Sequence, residues 1–480
     1  MTNSTKYEAV IGLEIHAQLA TATKLFCGDA TQFGAEPNTQ ISPITLGHPG
    51  TLPKTNAKAV EYAIKMGLAC GCHIQNENYF ARKNYFYPDL PKGYQISQHT
   101  TPICVGGQII IHTFEGEKII HLNRIHLEED AGKSIHDISP TDTFIDLNRA
   151  GTPLIELVTE PCIHSAEEAF QFVTEIRKLV RWIGVCDGNM EEGSLRCDAN
   201  ISIRLKGDNK LGTRVEVKNL NSIRNIKKAI EFEIERLIDI TEKGEKMIQQ
   251  TRSFDANNDT TFSIRDKEDA NDYRYFPDPD LAPFKLSDDF IKEIQQSLPA
   301  LPHFLKKEWK TKLGISEYDA TQLTEDKCES DFYAAWIQYT PHYKAAANWI
   351  MGPLREYIKE SSKTYSDLTP LLPYLSELLD LVEGNQLSFS VATHQVLPAI
   401  IDSPQSPLPY ATQNNLLQNN SEDQITEWIE SVLSNMPDKV AEYQKGKKAL
   451  LGLFMGEVKK ISKGKADPKL TSQLLTNKLK

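Results

Sequence analysis

The sequence lacks long apolar runs and any disulfide framework. Its 480 residues contain no run of about 18 apolar residues, the length that spans a bilayer as a helix. The polar start from Met1 to Lys6 has none of the apolar character of a signal peptide. Its eight cysteines are scattered, and Cys70 and Cys72 lie too close for an easy bridge. We therefore expect a soluble protein without a membrane span in the reducing cytoplasm.

Several common catalytic motifs are also absent. No glycine-rich stretch ends in Gly-Lys-Ser/Thr, so the phosphate-binding loop of many nucleotide hydrolases is missing. A dinucleotide-binding glycine fingerprint and a nucleophilic serine elbow are missing as well. If the chain uses a nucleotide, other side chains must hold it.

Negative charge is in excess, and the formal net charge of −12 argues against nucleic-acid binding by the whole surface. The segment Val440–Lys480 is the exception, because its ten lysines are opposed by only three carboxylates. The lysines are Lys445, Lys447, Lys448, Lys459, Lys460, Lys463, Lys465, Lys469, Lys478 and Lys480. Such a tail is either a solvated surface or a phosphate-binding patch, and charge alone favours the solvated surface.

The residue pattern changes twice along the chain. Strand-like alternation fills the first part, helical patterns take over near Ser287, and the Pro-rich run Asp402–Pro409 separates a last helical segment. We therefore predict an α+β body over residues 1–292, a helical domain over 293–405 and a small helical tail domain over 406–480. Two helices in the body are well marked, one after a capping Ser165 with Glu168 three residues on, and one after Ser222.

Five segments of the body alternate between apolar and polar residues, which predicts strands with two different faces. They are Ile11–Leu19, Asn123–Asp130, Pro153–Glu160, Leu195–Leu205 and Thr213–Leu220. Their polar positions carry carboxylates, histidines, arginines and a lysine, although acidic residues and Asn are depleted in ordinary strands. The pattern is typical of an antiparallel sheet with a wet face, or of an active-site sheet for Mg²⁺ and phosphate, and it supports both equally.

Two tracts mix aromatic and basic residues with prolines. They are Arg82–Gln95 (RKNYFYPDLPKGYQ) and Asp272–Asp280 (DYRYFPDPD). Such a mixture can stack a base or ribose, or it can be an aromatic core plug with a basic rim. The pattern alone favours the plug.

Seven tracts together resemble the B-subunit family of the bacterial aspartyl/glutamyl-tRNA(Asn/Gln) amidotransferases, and they occur in the family order. They are VIGLEIH (10–16), RKNYFYPDLPKGYQISQ (82–98), HLEEDAGK (126–133), DLNRAGTPLIE (146–156), MEEGSLRCDANISI (190–203), VKNLNS (217–222) and DYRYFPDP (272–279). The helical remainder is similar to the family's helical and tail domains, with weaker motifs.

The resemblance implies a body with a fold akin to glutamine synthetase, in which an open antiparallel sheet is the catalytic face. It also implies a heterotrimer, in which the glutaminase (amidase) partner, the A component, sends ammonia through a tunnel and a small third partner, the C component, braces the pair. The implied reaction converts Glu-tRNA(Gln) to Gln-tRNA(Gln), or Asp-tRNA(Asn) to Asn-tRNA(Asn). The absence of amidase motifs from this chain fits that division.

Site residues follow from the resemblance position by position. His16, Glu128 and Glu156 are implied as Mg²⁺ ligands, with Glu14 beside them at the tunnel mouth. Glu129 and Lys83 are implied to line or gate the ammonia path. Candidates for ATP and phosphate contacts are Arg149, Arg196, Asp198, Asn200, Glu216 and Lys218. For each residue the alternative is a structural salt bridge on a wet sheet face.

The implied mechanism has two steps. ATP phosphorylates the side-chain carboxylate of the tRNA-bound amino acid, and ammonia then displaces phosphate to leave the amide. Phosphorylation is needed because a free carboxylate would have to expel oxide, and Mg²⁺ screens the charge that gathers during transfer. The family's tail holds the tRNA elbow, so the lysine-rich tail is now expected to contact tRNA.

The chain departs from the resemblance at one site. Many members carry a zinc site made by a Cys-x-Cys pair and a later Cys-x-x-Cys pair. Here Cys27 remains, while Asp29, Ser42 and Thr45 stand at the other positions. One thiolate cannot build a structural tetrahedral zinc site, so we expect no zinc.

Two other functions stay open at this stage. A non-catalytic tRNA-binding scaffold would bind tRNA without Mg²⁺-dependent ATP turnover. A free-standing carboxylate–amine ligase or kinase would act on a small molecule without tRNA or partners, which the lysine-rich tail and the resemblance disfavour. The sequence does not decide between Glu-tRNA(Gln) and Asp-tRNA(Asn) as substrate.

Overall fold

The computed structural model describes residues 6–266, 273–418, 422–462 and 464–479, without the side chains of residues 219, 265 and 266. The chain divides into two compact units, Met1–Leu301 and Pro302–Lys480. The first unit holds the strands together with four helices, and the second is helical throughout its described residues. The α+β fold class is therefore confirmed.

The first unit is built on a sheet of 13 strands within the described residues. Its main path runs in the order β15-β14-β13-β12-β1-β11-β8-β5-β4-β16. Off this path, β6 and β7 pair with β8, and β2 pairs with β6. The strands are β1 (Tyr7–Gln18), β2 (His73–Ile74), β3 (Glu77–Asn78), β4 (Ala81–Asn84), β5 (Tyr94–Ser97), β6 (Cys104–Val105), β7 (Gln108–Thr113), β8 (Gly116–Glu129), β9 (Lys133–Ile135), β10 (Phe144–Asp146), β11 (Pro153–Thr159), β12 (Leu195–Leu205), β13 (Val215–Leu220), β14 (Gln250–Asp255), β15 (Thr260–Asp266), β16 (Phe276–Pro277) and β17 (Phe284–Lys285).

The pairings are antiparallel, as the alternation predicts, except that β13 and β14 are parallel. Parallel neighbours need a crossover, and the helix between these two strands supplies it. All five alternating segments are strands. In β1 the apolar residues Ile11, Leu13 and Ile15 are buried on one face of the sheet, while the polar residues between them point to the other.

Two long helices belong to this unit besides α1 (Ala57–Ala69) and α4 (Asp288–Ser297). The first, α2 (Ala166–Trp182), begins where Ser165 Oγ accepts from the Glu168 backbone N–H at 3.1 Å. Its apolar stripe of Ala169, Phe172, Val173, Ile176 and Val180 is buried. The second, α3 (Ile223–Glu242), is capped by Ser222 in the same way and packs against α2 and β12. Both predicted helices are therefore confirmed.

The second unit contains two separate hydrophobic clusters. The first runs from Trp309 to Ala411 and the second from Ile425 to Leu479. Its helices are α5 (Pro302–Glu308), α6 (Glu317–Leu323), α7 (Lys327–Trp336), α8 (Tyr343–Trp349), α9 (Arg355–Glu360), α10 (Tyr365–Leu368), α11 (Leu372–Glu383), α12 (Phe389–Val391), α13 (Leu397–Asp402), α14 (Pro407–Gln413), α15 (Glu422–Ser434), α16 (Pro437–Gln444), α17 (Leu450–Ile461) and α18 (Pro468–Lys478), with short 3₁₀ or π segments at Trp309–Leu313, Ile350–Leu354, Thr369–Leu371 and Ala392–Val396. Across the described ranges, no helix has both the length and the apolar character that crossing a bilayer requires.

Candidate active site

The register of the central strands places four polar residues in one row. His126 of β8 lies opposite Glu156 of β11, Glu156 lies opposite His16 of β1, and His16 lies opposite Arg196 of β12. Residues that face each other across antiparallel strands project from the same side of the sheet. Glu128 joins the row from the next polar position of β8. Four strands distant in sequence therefore deliver one cluster.

The cluster places ligand atoms at short range. His16 Nε2 lies 3.3 Å from Glu156 Oε2 and 3.9 Å from Glu128 Oε1. His126 Nε2 lies 3.6 Å from Glu128 Oε2 and 3.5 Å from Glu156 Oε2. Ser97 Oγ donates to Glu128 Oε2 at 3.1 Å. Both carboxylates are buried, so their charge needs a cation nearby.

The pKa values in the cluster are shifted in the direction that keeps the carboxylates ionised and the cations protonated. Burial alone would lower the pKa of His16, but its hydrogen bond to Glu156 and the nearby charge of Glu128 raise that pKa to about 9. Burial would likewise lower the pKa of Lys83, and Glu128 and Glu156 raise it above its usual value instead. The charges of His126 and His16 hold the pKa of Glu156 well below its usual range against the effect of burial. The site therefore favours two carboxylates surrounded by positive charge.

A second carboxylate cluster lies beside the first on the same face. Glu14 is opposite Asp198, and Asn200 is opposite Glu216. Lys218 Nζ contacts Asp198 Oδ2 at 2.7 Å and Glu216 Oε1 at 2.8 Å, so its ammonium neutralises this cluster. Asn200 Nδ2 donates to Glu14 Oε1 at 2.8 Å. Burial, followed by the charge of Glu156, raises the pKa of Glu14.

Arg196 and Arg149 meet at a buried carboxylate that the sequence did not single out. Asp130 Oδ2 lies 2.7 Å from Arg196 Nη2 and 3.7 Å from Arg149 Nε, and it also accepts from Gln18 Nε2 at 2.7 Å. Arg149 also donates to the backbone carbonyls of residues 131 and 132. Asp130 therefore fixes two of the predicted phosphate-binding arginines at the edge of the cluster.

Glu129 and Lys83 do not lie together. Glu129 lines a cavity of about 230 Å³ with Lys92, which is its ion-pair partner, and with Lys24 and Arg82. Lys83 lies on the face of the sheet that carries Glu128, because Ala81 pairs with Ser97 and Ser97 pairs with Glu128. Adjacent residues of a strand point to opposite faces, which accounts for the separation of Glu128 from Glu129 and of Lys83 from Arg82.

Comparison with known proteins fixes the family. Residues 9–292 match the GatB/GatE catalytic domain, and residues 331–479 match the GatB domain. The chain is 46% identical over 477 residues to the B subunit of the aspartyl/glutamyl-tRNA(Asn/Gln) amidotransferase from Geotalea daltonii, with 99% of both chains covered. It is 45% identical over 475 residues to the protein of the same name from Thermodesulfovibrio yellowstonii, with 99% of this chain and 100% of the relative covered.

The chain belongs to the family of aminoacyl-tRNA amidotransferase B subunits. The predicted family is thereby confirmed, and the chain is an enzyme subunit of that class. The catalytic-domain match ends inside α4 and covers the 13-stranded sheet except for the first two residues of β1. The clusters described above therefore lie within the part of the chain that the family uses for catalysis.

The donors of the first cluster fit a divalent cation. One ligand atom each from His16, Glu128 and Glu156 lies within 4.8 Å of the others, close enough to share an ion. Carboxylate oxygens suit Mg²⁺ or Mn²⁺, and an imidazole nitrogen adds a neutral donor. The second cluster, Glu14 with Asp198 and Glu216, is similarly spaced, but Lys218 already contacts two of its members.

His126 is the residue of the first cluster that the sequence did not assign. It is buried, its Nε2 faces both carboxylates, and its Nδ1 has no hydrogen-bond partner among the described residues. The alternation of β8 placed it on the same face as Glu128, so the signal was present. The resemblance assigned no role to that position.

The structure also describes Cys27, Asp29, Ser42 and Thr45, the four residues that stand where many family members carry zinc-binding cysteines. Thr45 Oγ1 donates to Asp29 and lies 3.4 Å from Cys27 Sγ. Burial would raise the pKa of Asp29, but the hydrogen bond from Thr45 helps to hold it below its usual value. A carboxylate and a hydroxyl donor therefore link the segment of Cys27 and Asp29 to that of Thr45. The absence of zinc from the protein stays a prediction.

Proposed function

We propose that this chain phosphorylates the side-chain carboxylate of a tRNA-bound glutamate or aspartate with ATP and then amidates it with ammonia. The observation that carries the proposal is the cross-strand row that brings His16, Glu128 and Glu156 within ligand distance of one another in a chain of this family. His16, Glu128 and Glu156 would hold Mg²⁺. When bound, Mg²⁺ would supply positive charge to the phosphoryl oxygens.

The chain's own residues divide the remaining work. Arg196, Arg149 and Lys218 supply positive charge next to the metal residues, where an ATP triphosphate needs neutralisation. Asp198 and Glu216 hold Lys218, Asp130 holds the two arginines, and Asn200 donates to Glu14. The substrate carboxylate forms a bond to the terminal phosphorus as the bond to ADP breaks. The nitrogen of ammonia then attacks the acyl carbon, and phosphate leaves with the electron pair of its C–O bond.

The amidation step releases a proton, and Glu14 is suited to accept it. Its carboxylate is half-buried, lies on the same face of the sheet as His16 and is held by a hydrogen bond from Asn200. A carboxylate fixed beside the reacting groups can act as a general base. Ammonia would arrive through the cavity that Glu129 and Lys92 line.

The partners follow from the relatives' shared name, which describes the B subunit of an amidotransferase that acts on aspartyl- and glutamyl-tRNA. We assign to this chain a heterotrimer with a glutaminase partner, the A component, and a small third partner, the C component, and an aminoacyl-tRNA substrate. The eight cysteines all lie in the described ranges and form no disulfide there, which supports a reducing compartment such as the cytoplasm.

The decisive assay uses the assembled complex with ATP, Mg²⁺ and ammonium chloride on Glu-tRNA(Gln) and Asp-tRNA(Asn). Ammonium bypasses glutamine hydrolysis, so amide formation reports on this chain alone. We expect amidated aminoacyl-tRNA from the native complex and its loss in Glu128→Gln, a change that is nearly isosteric. The matched control is Glu115→Gln, an exposed glutamate between β7 and β8.

The same assay separates the alternatives. Amide formation that survives in Glu128→Gln would overturn the metal assignment. An assembled, tRNA-binding complex that makes no amide with either substrate would instead identify the chain as a non-catalytic scaffold. Amidation of free glutamate without tRNA would identify a small-molecule ligase.

A further inference from the structure

The two aromatic tracts of the sequence form one surface. The second tract runs beside the first, because β16 pairs with β4 and places Phe276 opposite Arg82. Asn84 fastens them further, since its backbone N–H donates to the Tyr273 carbonyl at 2.9 Å and its side chain donates to the Arg274 carbonyl at 2.9 Å. Asp272, the first residue of the second tract, lies outside the described residues.

Five rings from this region form a continuous series, which we call the aromatic arc: Tyr87, Tyr85, Tyr273, Tyr275 and His99. Successive ring centroids lie 5.8, 6.1 and 6.0 Å apart from Tyr87 to Tyr275, with edge-to-face packing. The last pair differs, because Tyr275 and His99 are stacked at 3.9 Å with planes 5° apart. The arc therefore ends in a parallel stack.

The arc is not a core plug. A core aromatic such as Phe80 is 1% exposed, whereas Tyr87 and His99 are exposed and the other three rings are partly exposed. His99 covers one face of Tyr275 and forms the solvent side of the stack. A planar group in solution can extend that stack over His99 at little cost in ordering, because the rings are already in place.

The arc adjoins the metal cluster through Lys83. Its ammonium lies 5.1 Å from the Tyr273 ring centroid and 5.9 Å from that of Tyr85. Ala81 pairs with Ser97 and Ser97 with Glu128, so Lys83, two residues after Ala81, lies on the same face of the sheet as Glu128 and joins the rings to the metal residues. A molecule stacked on the arc would have its far end close to the row of ligands.

The strand order indicates which substrate the arc would face. The metal residues lie on β1, β11 and β8, in the middle of the sheet. The candidate phosphate contacts Arg196 and Lys218 lie to one side, on β12 and β13, whereas β4 and β16 lie to the other. An ATP whose phosphates lie with Arg196 and Lys218 leaves the β4 side to the other substrate, which ends in an adenosine esterified to the amino acid.

We propose that the aromatic arc holds the terminal adenine of the aminoacyl-tRNA by stacking on His99, so that the attached amino acid reaches the cluster of Glu128 and Glu156. This inference rests on the proposed function and adds an acceptor-end subsite to it. Stacking is indifferent to base identity, because every base has a π face, so position along the tRNA and not base readout would select the terminal residue.

The first test measures KM in the assembled complex for His99→Ala and for the stacking-competent His99→Phe. We expect His99→Ala to raise the KM for aminoacyl-tRNA about 5- to 150-fold, the range that loss of one base–aromatic stack gives, with the KM for ATP unchanged. His99→Phe should restore most of the loss. His73→Ala, which removes an exposed histidine on β2 outside both tracts, should change neither constant.

A second test uses a probe that cannot react, the amide of glutamine with 3′-amino-3′-deoxyadenosine, which has no side-chain carboxylate to phosphorylate. It should compete with aminoacyl-tRNA and not with ATP, and its inhibition constant should rise in His99→Ala. Competition with ATP, or a raised KM for ATP in His99→Ala, would assign the arc to the nucleotide and overturn the proposal. An unchanged KM for aminoacyl-tRNA would overturn it as well. Failure of the proposed function is separate, because the native complex would then form no amide.

Discussion

A lysine with no exposed surface lines the cavity beside Glu129. Lys24 is 0% exposed, and its described hydrogen bond is a long one of 3.5 Å to the Leu147 carbonyl. Burial lowers its pKa below 10.5, because the charged form is poorly solvated there. We expect Lys24→Met to raise the free energy of unfolding at pH 7 by roughly 1–3 kcal/mol, since the chain stem is kept and the buried charge is removed.

The lowered pKa of Lys24 also determines how the stability of the protein changes with pH. The unfolded chain binds the Lys24 proton more tightly than the folded protein, so native stability rises with pH between the lowered pKa and 10.5. The advantage of Lys24→Met should therefore shrink as the pH approaches 10.5. Urea unfolding at pH 7 and pH 10 measures it, and a pH-independent difference or a destabilised variant at both values would contradict the prediction.

Single residues show how much of the site the sequence pattern could predict. The alternation placed His126 and Glu128 on one face, and it placed Glu129 on the other. It did not supply the partner of Asp130, because Arg196 approaches it only when β12 pairs with β1. Alternation assigns a face, whereas register assigns a neighbour, and register depends on contacts between distant segments.

Among the elements, α3 is tied to the sheet by one buried carboxylate. Glu233 is 0% exposed and contacts Arg236 of its own helix at 2.7 Å and Arg252 of β14 at 3.0 Å. It also accepts from Thr261 of β15. Glu233→Ala should lower the free energy of unfolding by roughly 3–5 kcal/mol, because two arginines lose their buried partner.

Hydrogen exchange adds a local measure of the same change. We expect amides of β14 and β15 to exchange faster in Glu233→Ala, since the contacts that hold these strands to α3 are gone. Glu235→Ala removes an exposed carboxylate from the same helix and should have little effect on either measurement. Equal effects of the two substitutions would show that the buried network does not hold the edge of the sheet.

Elements were predicted well where local chemistry decides them. Leu195–Leu205 is a strand with the predicted limits, and Ser165 and Ser222 cap the predicted helices. The local pattern was wrong in one detail at Glu168. A full capping box requires its carboxylate to accept from the backbone N–H of Ser165, but it accepts from that of His164 at 2.7 Å instead. The parallel pairing of β13 with β14 was also missed, because it depends on where α3 returns the chain.

At the scale of the whole molecule, we expect the tail lysines to contact tRNA. Within the described part of the tail, Lys445, Lys459 and Lys469 are exposed and form no ion pair, while others pair with glutamates or, like Lys448, lie over the Tyr443 ring. Lys463 and Lys480 lie outside the described residues. Free ammonium groups on one small helical cluster are suited to phosphate contacts.

Ending the chain at Gln418 tests that role. Ala411 of α14 packs in the first cluster of the second unit, with Leu417 against it, so this end point leaves that cluster intact. We expect weaker tRNA binding and a shallower dependence of affinity on salt, because phosphate-neutralising lysines are lost. Glutamine hydrolysis by the assembled complex should be unchanged.

Substituting only three exposed lysines of the tail refines the test. Replacing Lys445, Lys459 and Lys469 by alanine should reduce the slope of log affinity against log salt by about 3, one for each lost phosphate contact. Filter binding at several salt concentrations measures the slope. An unchanged slope in both forms would remove the tail from tRNA recognition.

The pairing of strands that are distant in sequence also limits when the sheet can form during synthesis. β1 ends at Gln18, and its partners β11 and β12 begin at Pro153 and Leu195. During synthesis the first strand must wait for about 135 further residues, on the order of 10 s, before either neighbour exists. Its apolar residues stay uncovered in the meantime, so added chaperone should increase the yield of native chain.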